Sequence, residues 1–160
     1  MSTVWWVILA AALTALALWA QSTATRLDRL HIRLDRSRDA LQAALDRRCA
    51  VIAATLPELA AAARAAEEVR MGPRDLASRL DRETELGALV AAALDQGTVA
   101  AAAQREIADA DTRVMLALRF YNDAVADTRA LRLRPAVRTL RLGGTAALPE
   151  YAALGQMAAG

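Results

Sequence analysis

Residues 4–20 read VWWVILAAALTALALWA, an uncharged stretch in which Thr14 has the only polar side chain. At 1.5 Å of rise per helical residue, such a stretch spans about 26 Å, close to the thickness of a bilayer core. Trp5, Trp6 and Trp19 lie near its ends, where an indole can keep its N–H hydrated. The stretch predicts a single transmembrane helix that begins at Val4, with residues 1–24 forming a short outer N-terminus and this helix.

Two other interpretations of residues 4–20 are less favoured. A buried helix of a soluble domain needs a polar face, and none is present. A cleaved signal peptide begins with a positively charged region, whereas no Lys or Arg precedes this stretch, although small residues at 22–24 would suit a cleavage site. An uncleaved anchor in the inner or plasma membrane is the prediction.

The orientation of the anchor follows from its flanks. Basic residues collect on the cytoplasmic side of a span, and here they all follow it, at Arg26, Arg29, Arg33, Arg36 and Arg38. The N-terminus is therefore expected outside and residues from about 25 onward in the cytoplasm.

Composition predicts an all-α chain. Of 160 residues, 41 are Ala and all 20 basic residues are Arg, while β-branched and aromatic residues are scarce. One Cys and one His exclude an internal disulfide and the common zinc patterns, so no cofactor or metal site is predicted. Arginines alternate with acids, which argues against nucleic-acid binding despite a pI of about 9.3.

Three helices are predicted in residues 25–134, at about 25–70, 75–95 and 98–134. The first carries an apolar stripe and a kink near 53–57, where Thr55 resembles a new N-cap before Pro57. That stripe consists of Leu27, Leu30, Leu34, Leu41, Leu45, Cys49, Ile52, Leu56 and Leu59.

The second predicted helix begins after Asp75 as N-cap, with an apolar set that includes Leu80, Leu86 and Leu89, and it stops at 95–97. The third opens at Thr98 and has a near-heptad seam of small residues. Residues 135–160 are expected to be a mostly irregular tail with at most a short turn at 149–154. The predicted fold is a transmembrane helix continuing into an elongated antiparallel helical bundle or coiled-coil-like domain.

One buried polar layer is predicted. One arginine of the Arg47-Arg48 pair turns inward on the stripe, where Asp111 or Asp123 of the facing helix would neutralise it. The Tyr121-Asn122 pair would complete the layer. This interpretation, in which the layer fixes the register of the helices, is favoured over a ligand site.

The remaining candidate residues are given structural or surface roles rather than catalytic ones. His31 is interpreted as a surface residue, Cys49 as a small buried hydrophobe, and the acids at 67–68, 83 and 85 as solvated. The arginines near the tail, which would contact a partner or anionic lipid, are Arg132, Arg134, Arg138 and Arg141.

Two motifs resemble the LemA family. Residues 111–125, DTRVMLALRFYNDAV, resemble its signature of an acid, an Arg, a hydrophobic run and Tyr-Asn-x-Ala-Val. Residues 45–48, LDRR, resemble its Leu-x-Arg-Arg. Residues 50–55 and 128–129 depart from the family pattern, so the likeness is to a divergent, arginine- and alanine-rich branch of the kind expected from a high-GC bacterium. The resemblance implies a single-pass membrane protein with a helical, coiled-coil-like domain and no agreed catalytic activity.

The expected function is a non-enzymatic, membrane-anchored scaffold or accessory protein that binds other membrane or cytoplasmic proteins, or itself. One alternative is a stoichiometric accessory or assembly subunit of a large membrane complex, such as a respiratory-chain supercomplex. A second alternative is a surface protein that responds to anionic lipid. No catalytic residue is predicted.

Overall fold

The computed structural model describes residues 2–72, 75–139 and 147–154, and the elements in these ranges are all helical, with no strand among them. A short 3-10 helix, Pro57–Leu59, separates the first two α-helices. The α-helices are α1 Ser2–Thr55, α2 Ala60–Glu67, α3 Leu76–Asp95, α4 Ala101–Arg132 and α5 Pro135–Thr139.

Helix α1 ends where proline stops it. Pro57 has no N–H to donate, and Leu56 before it adopts an extended φ of −127° and ψ of 79°. The prediction of Thr55 as an N-cap is wrong: its hydroxyl donates 2.8 Å back to the carbonyl of Val51 and so belongs to the last turn of α1.

The ends of α3 follow the sequence signals only in part. Asp75 occupies the N-cap position, but its side chain makes no capping hydrogen bond. Gly97 follows the C-terminus of α3 with a φ of 70°, a left-handed conformation that glycine adopts without steric cost. Helix α4 begins at Ala101, later than the predicted start at Thr98.

The tail is more ordered than expected near its start. Pro135–Thr139 forms a short helix rather than irregular chain, because Pro135 suits the first helical position. Residues 147–154 contain no regular element, and the short turn predicted at 149–154 is not formed. Arg141 lies outside the described residues.

The chain divides into two compact units, and α1 and α4 each contribute to both. The first unit combines Met1–Leu34 with Ala124–Pro149. Its small core contains Leu27, Leu131 and Val137, with Leu30 packed against them.

The second unit combines Asp35–Asp123 with Glu150–Gly160, and its core lies between the C-terminal part of α1, α2, α3 and the N-terminal part of α4. Small and branched side chains fill it: Cys49, Ile52, Leu56, Ala63, Ala66, Leu86, Val90 and Ile107. The predicted stripe of α1 is largely confirmed, since only Leu30 and Leu59 of its members are partly exposed. Leu89 of α3 was expected in the core but is 45% exposed.

The N-terminal part of α1 is uncovered. Its most apolar window of 18 residues has a mean hydropathy of 1.9, and none of that window is buried. By length and composition, α1 is the one helix of the described chain that is able to cross a membrane.

Candidate functional site

Arg48 is buried in the core of the second unit, where it binds two acids. Its Nε donates to Asp111 Oδ1 at 2.5 Å, and its Nη1 donates to Glu83 Oε2 at 3.0 Å. Only 1% of the Arg48 side chain is exposed. Of the two acids that the sequence offered, the structure selects Asp111, while Asp123 is exposed.

Arg79 of α3 is a second buried arginine. Its Nη2 lies 2.9 Å from both Asp46 Oδ1 and Glu83 Oε1. Its Nη1 donates to the carbonyls of Glu67 and Val69 at 3.2 and 3.0 Å, just where α2 ends. Arg79 therefore satisfies the carbonyl of the last residue of α2, which has no partner within that helix, and a second carbonyl just beyond it.

Glu83 lies between the two arginines and joins them. The interpretation of Glu83 as a solvated acid is wrong, because its side chain is 1% exposed and each of its oxygens accepts from a different guanidinium. The result is a chain of alternating charges across α1, α3 and α4, which we call the ion network: Asp46, Arg79, Glu83, Arg48 and Asp111.

The helical period explains why α3 carries a buried ion pair. Leu80 and Leu86 lie on the buried face of α3, and Glu83 is midway between them on the same face. Arg79 lies one turn before Glu83, within reach of an (i, i+4) contact. The gap in the apolar stripe between Leu80 and Leu86 was the signal for these charges, and sequence reasoning missed it.

Hydrogen bonding in the ion network is complete. Every buried side-chain nitrogen and oxygen in the described part of the chain has a hydrogen-bond partner. Complete pairing is what makes buried charges tolerable in a low-dielectric interior, because an unpaired one carries its full desolvation penalty.

Cys49 contacts the ion network and is held as a thiol. Its Sγ donates to Glu83 Oε1 at 3.3 Å. Burial and the neighbouring negative charge of Glu83 raise the pKa of Cys49 to about 12, against the opposing effect of the two arginines. The expected burial of Cys49 is confirmed, and at neutral pH it is not a thiolate nucleophile.

The other members of the predicted polar layer lie elsewhere. Arg47 is exposed, since it is one position away from the buried face. Tyr121 and Asn122 hold the C-terminal segment instead: the Tyr121 hydroxyl donates to the carbonyl of Glu150 at 3.0 Å, and Asn122 exchanges two hydrogen bonds with the backbone of Ala152, at 2.8 and 2.9 Å. The Tyr121-Asn122 pair thus binds extended backbone.

Burial also affects Tyr121 itself. It raises the pKa of the phenol, while the neighbouring Arg38 guanidinium acts in the opposite direction. The phenol therefore remains a neutral hydrogen-bond donor to the segment at 150–152 at neutral pH.

The predicted anchor and tail residues lie in the first unit. Val4, Trp5, Trp6 and Trp19 are all exposed. Arg132 donates to the carbonyl of Ala147 at 2.8 Å, while Arg134 and Arg138 are exposed at the end of α4 and in α5.

No group of three His, Cys, Asp or Glu side chains in the described ranges could hold a metal ion. Comparison with known proteins adds no likeness: no family model, curated protein or solved structure matches the chain.

Proposed function

We propose that the chain is a non-enzymatic, membrane-anchored, LemA-like scaffold or accessory protein that binds other proteins through α4. Residues 4–20 of α1 would cross the inner or plasma membrane with the N-terminus outside. The helices that follow would then present their surfaces in the cytoplasm.

Support for the anchor comes from exposure. Trp5 and Trp6 are 71% and 70% exposed, and the large apolar side chains around them are exposed as well. Water solvates such a surface poorly, whereas a bilayer core removes it from water. The arginine-rich residues after the span set the orientation.

Support for an antiparallel bundle comes from two contacts in the second unit. Arg38 of α1 lies beside Tyr121 of α4, and Arg48 of α1 is bonded to Asp111 of α4. Ten residues forward along α1 correspond to ten residues backward along α4. This pairing supports an antiparallel arrangement of the two helices within this unit.

Exposed apolar side chains on α4 carry the protein-binding proposal. Leu116 and Phe120 are 53% and 56% exposed and lie one turn apart on the same side of the helix. Met115, adjacent to Leu116, is 52% exposed. Neighbouring exposed apolar side chains of this size are typical of interaction surfaces rather than of a plain solvated helix.

The ion network supports a structural interpretation of the buried charges. Its guanidinium and carboxylate groups are engaged with one another, and the carboxylate that both arginines share is inaccessible to solvent. A buried polar layer of this kind specifies which helical faces meet.

Site-specific photocrosslinking tests the binding surface. A photoreactive amino acid replaces Phe120 in the full-length chain in living cells, and the control carries it at Ala108, an exposed position about 18 Å away along the axis of α4. The proposal predicts defined protein adducts from position 120 that are reduced by Leu116→Ser and unaffected by Leu89→Ser, which alters an exposed leucine of α3.

The identity of the adducts distinguishes the forms of the proposal. A fixed set of membrane subunits at constant stoichiometry would make the chain an accessory or assembly subunit of a large complex. Adducts only with itself would make it a self-assembling scaffold. Equal, diffuse labelling from positions 108 and 120 would contradict protein binding through this face of α4.

A further inference from the structure

A cleft opens in the first unit at the end of the apolar stretch of α1. It has a volume of about 190 Å³. Side chains from α1, the end of α4 and α5 line it: Trp19, Ser22, Thr23, Arg26, Leu131, Arg134, Ala136 and Val137.

In a chain anchored through residues 4–20, this cleft would lie at headgroup depth. Trp19 lies at the end of the apolar stretch, and Ser22, Thr23 and Arg26 follow it at the spacings that share one helical face. At 1.5 Å per residue, Arg26 lies about 10 Å beyond Trp19 along the axis. The polar layer on each side of a bilayer core is about 5–8 Å thick, so the cleft spans the level of the lipid phosphates.

The charged side chains that line the cleft are both basic. Its lining contains two arginines and no acidic residue. Among the residues that the structure describes, Arg26 and Arg134 form no ion pair, in contrast to the buried Arg48 and Arg79. The lining thus combines an indole, apolar side chains and two guanidinium groups.

We propose that this cleft binds the phosphate headgroup of one acidic phospholipid of the inner leaflet, with Arg26 and Arg134 as its ligands. Guanidinium groups form paired, charge-assisted hydrogen bonds with phosphate oxygens. Leu131 and Val137 offer an apolar wall to the glycerol and upper acyl region. The site rests on the proposed function, because only a chain anchored through α1 holds the cleft at headgroup level.

Lipid retention by the full-length protein tests the site. The protein is extracted in mild detergent, mixed with palmitoyl-oleoyl phosphatidylglycerol or the matching phosphatidylcholine, and bound lipid is measured by native mass spectrometry. The test variant is Arg26→Gln/Arg134→Gln. The control variant, Arg29→Gln/Arg138→Gln, removes the same charge from exposed arginines of the same two segments that do not line the cleft.

Preferential retention of phosphatidylglycerol by the wild-type protein is expected. The test variant should weaken it by at least about tenfold, since it removes both guanidinium groups that would bond the phosphate, and the control variant, which leaves those bonds intact, by less than about threefold. Equal losses in both variants would overturn the site in favour of diffuse attraction. Equal retention of the two lipids would overturn its selectivity for acidic headgroups.

Two further measurements distinguish binding of a soluble anion from lipid binding, and failure of the cleft from failure of the anchor. Displacement of phosphatidylglycerol by millimolar inorganic phosphate would assign the cleft to a soluble anion and overturn the lipid proposal. Release of the wild-type chain from membranes by alkaline carbonate would instead overturn the anchor itself. A carbonate-resistant chain without a lipid preference would refute the cleft while leaving the proposed function standing.

Discussion

Arg48 of α1 and Glu83 of α3 form an ion pair of 3.0 Å in which each side chain is only 1% exposed. Burying either charge without the other would be strongly unfavourable, because the desolvation penalty of one buried ion is about several kcal/mol. The pair therefore links the two helices, and Asp46, Arg79 and Asp111 extend the link. Its consequences for stability and reactivity are open to measurement.

Removing the charge of Glu83 should destabilise the second unit strongly. Glu83→Gln leaves two buried guanidinium groups without their shared carboxylate, and breaking such a pair costs about 3–5 kcal/mol. The free energy of unfolding is measured by urea titration of the full chain in detergent micelles, followed by circular dichroism. Glu85→Gln is the matched control, because Glu85 is exposed and pairs with exposed Arg82; its effect should stay within about 0.5 kcal/mol. Equal effects of the two variants would refute the ion network as a stabilising element.

Gly87 should respond in opposite directions to a small and a large side chain. A Cβ at Gly87 would lie 3.7 Å from Arg48 Nη2, which is ordinary contact. Gly87→Ala should therefore raise the free energy of unfolding by up to about 1 kcal/mol through helix propensity. Gly87→Leu should lower it by about 1–3 kcal/mol, because its branched end would displace the Arg48 guanidinium. The same urea titration measures both, and a stable Gly87→Leu variant would contradict the close packing.

Cys49 should give stability a specific pH dependence. The pKa of its thiol is about 12 in the folded chain, against an ordinary value of 9.0, so between these values the folded state holds a proton that the unfolded state has lost. The contribution is fully present below pH 9 and falls as pH rises towards 12, by up to about 1.4 kcal/mol per pH unit. Unfolding free energies between pH 8 and about 10.5 should decline less steeply in Cys49→Ala. Identical slopes in the two proteins would contradict the shifted thiol.

Asn122 should protect the backbone of the C-terminal segment from hydrogen exchange. The amide of Ala152 donates 2.9 Å to the Asn122 side chain. Asn122→Ala removes both hydrogen bonds to Ala152, and a loss of about 1.4 kcal/mol corresponds to tenfold faster exchange. Deuterium uptake of the peptide containing residue 152, measured by mass spectrometry, should rise accordingly. Asp123→Ala, at an exposed neighbour, should leave uptake unchanged, and equal uptake in both variants would contradict the contact.

The all-helical content was predictable from sequence because it depends on local properties. Composition excluded strands, the stripe of α1 identified its buried face, and Gly97 and Pro57 marked the ends of helices. Arg48 was recognisable as an inward-facing charge because it lies among stripe residues. Its neighbour Arg47 was predicted as a member of the same layer, and the structure leaves it exposed.

The ion network left only one local signal, the gap in the apolar stripe of α3 between Leu80 and Leu86, and nothing local indicated how its charges pair. Arg79 and Glu83 resemble an ordinary exposed (i, i+4) pair, and only the packing of α3 against α1 makes them interior groups. The contacts of Tyr121 and Asn122 with residues 150–152 join segments about 30 positions apart. Because the sequence does not reveal such contacts, the pair was wrongly assigned to the polar layer. Such long-range contacts leave no periodic signal in the chain.

Cysteine accessibility tests most directly the claim on which the whole account depends, that α1 crosses the membrane with the helical chain on the cytoplasmic side. In a Cys49→Ala background, Thr3→Cys and Gln96→Cys each introduce one exposed thiol, before and after the apolar stretch. A membrane-impermeant maleimide is applied to intact spheroplasts and again after lysis. The cysteine at position 3 should be labelled in intact spheroplasts, and the one at position 96 only after lysis. Labelling of position 96 in intact spheroplasts, or recovery of the chain in the soluble fraction, would contradict it.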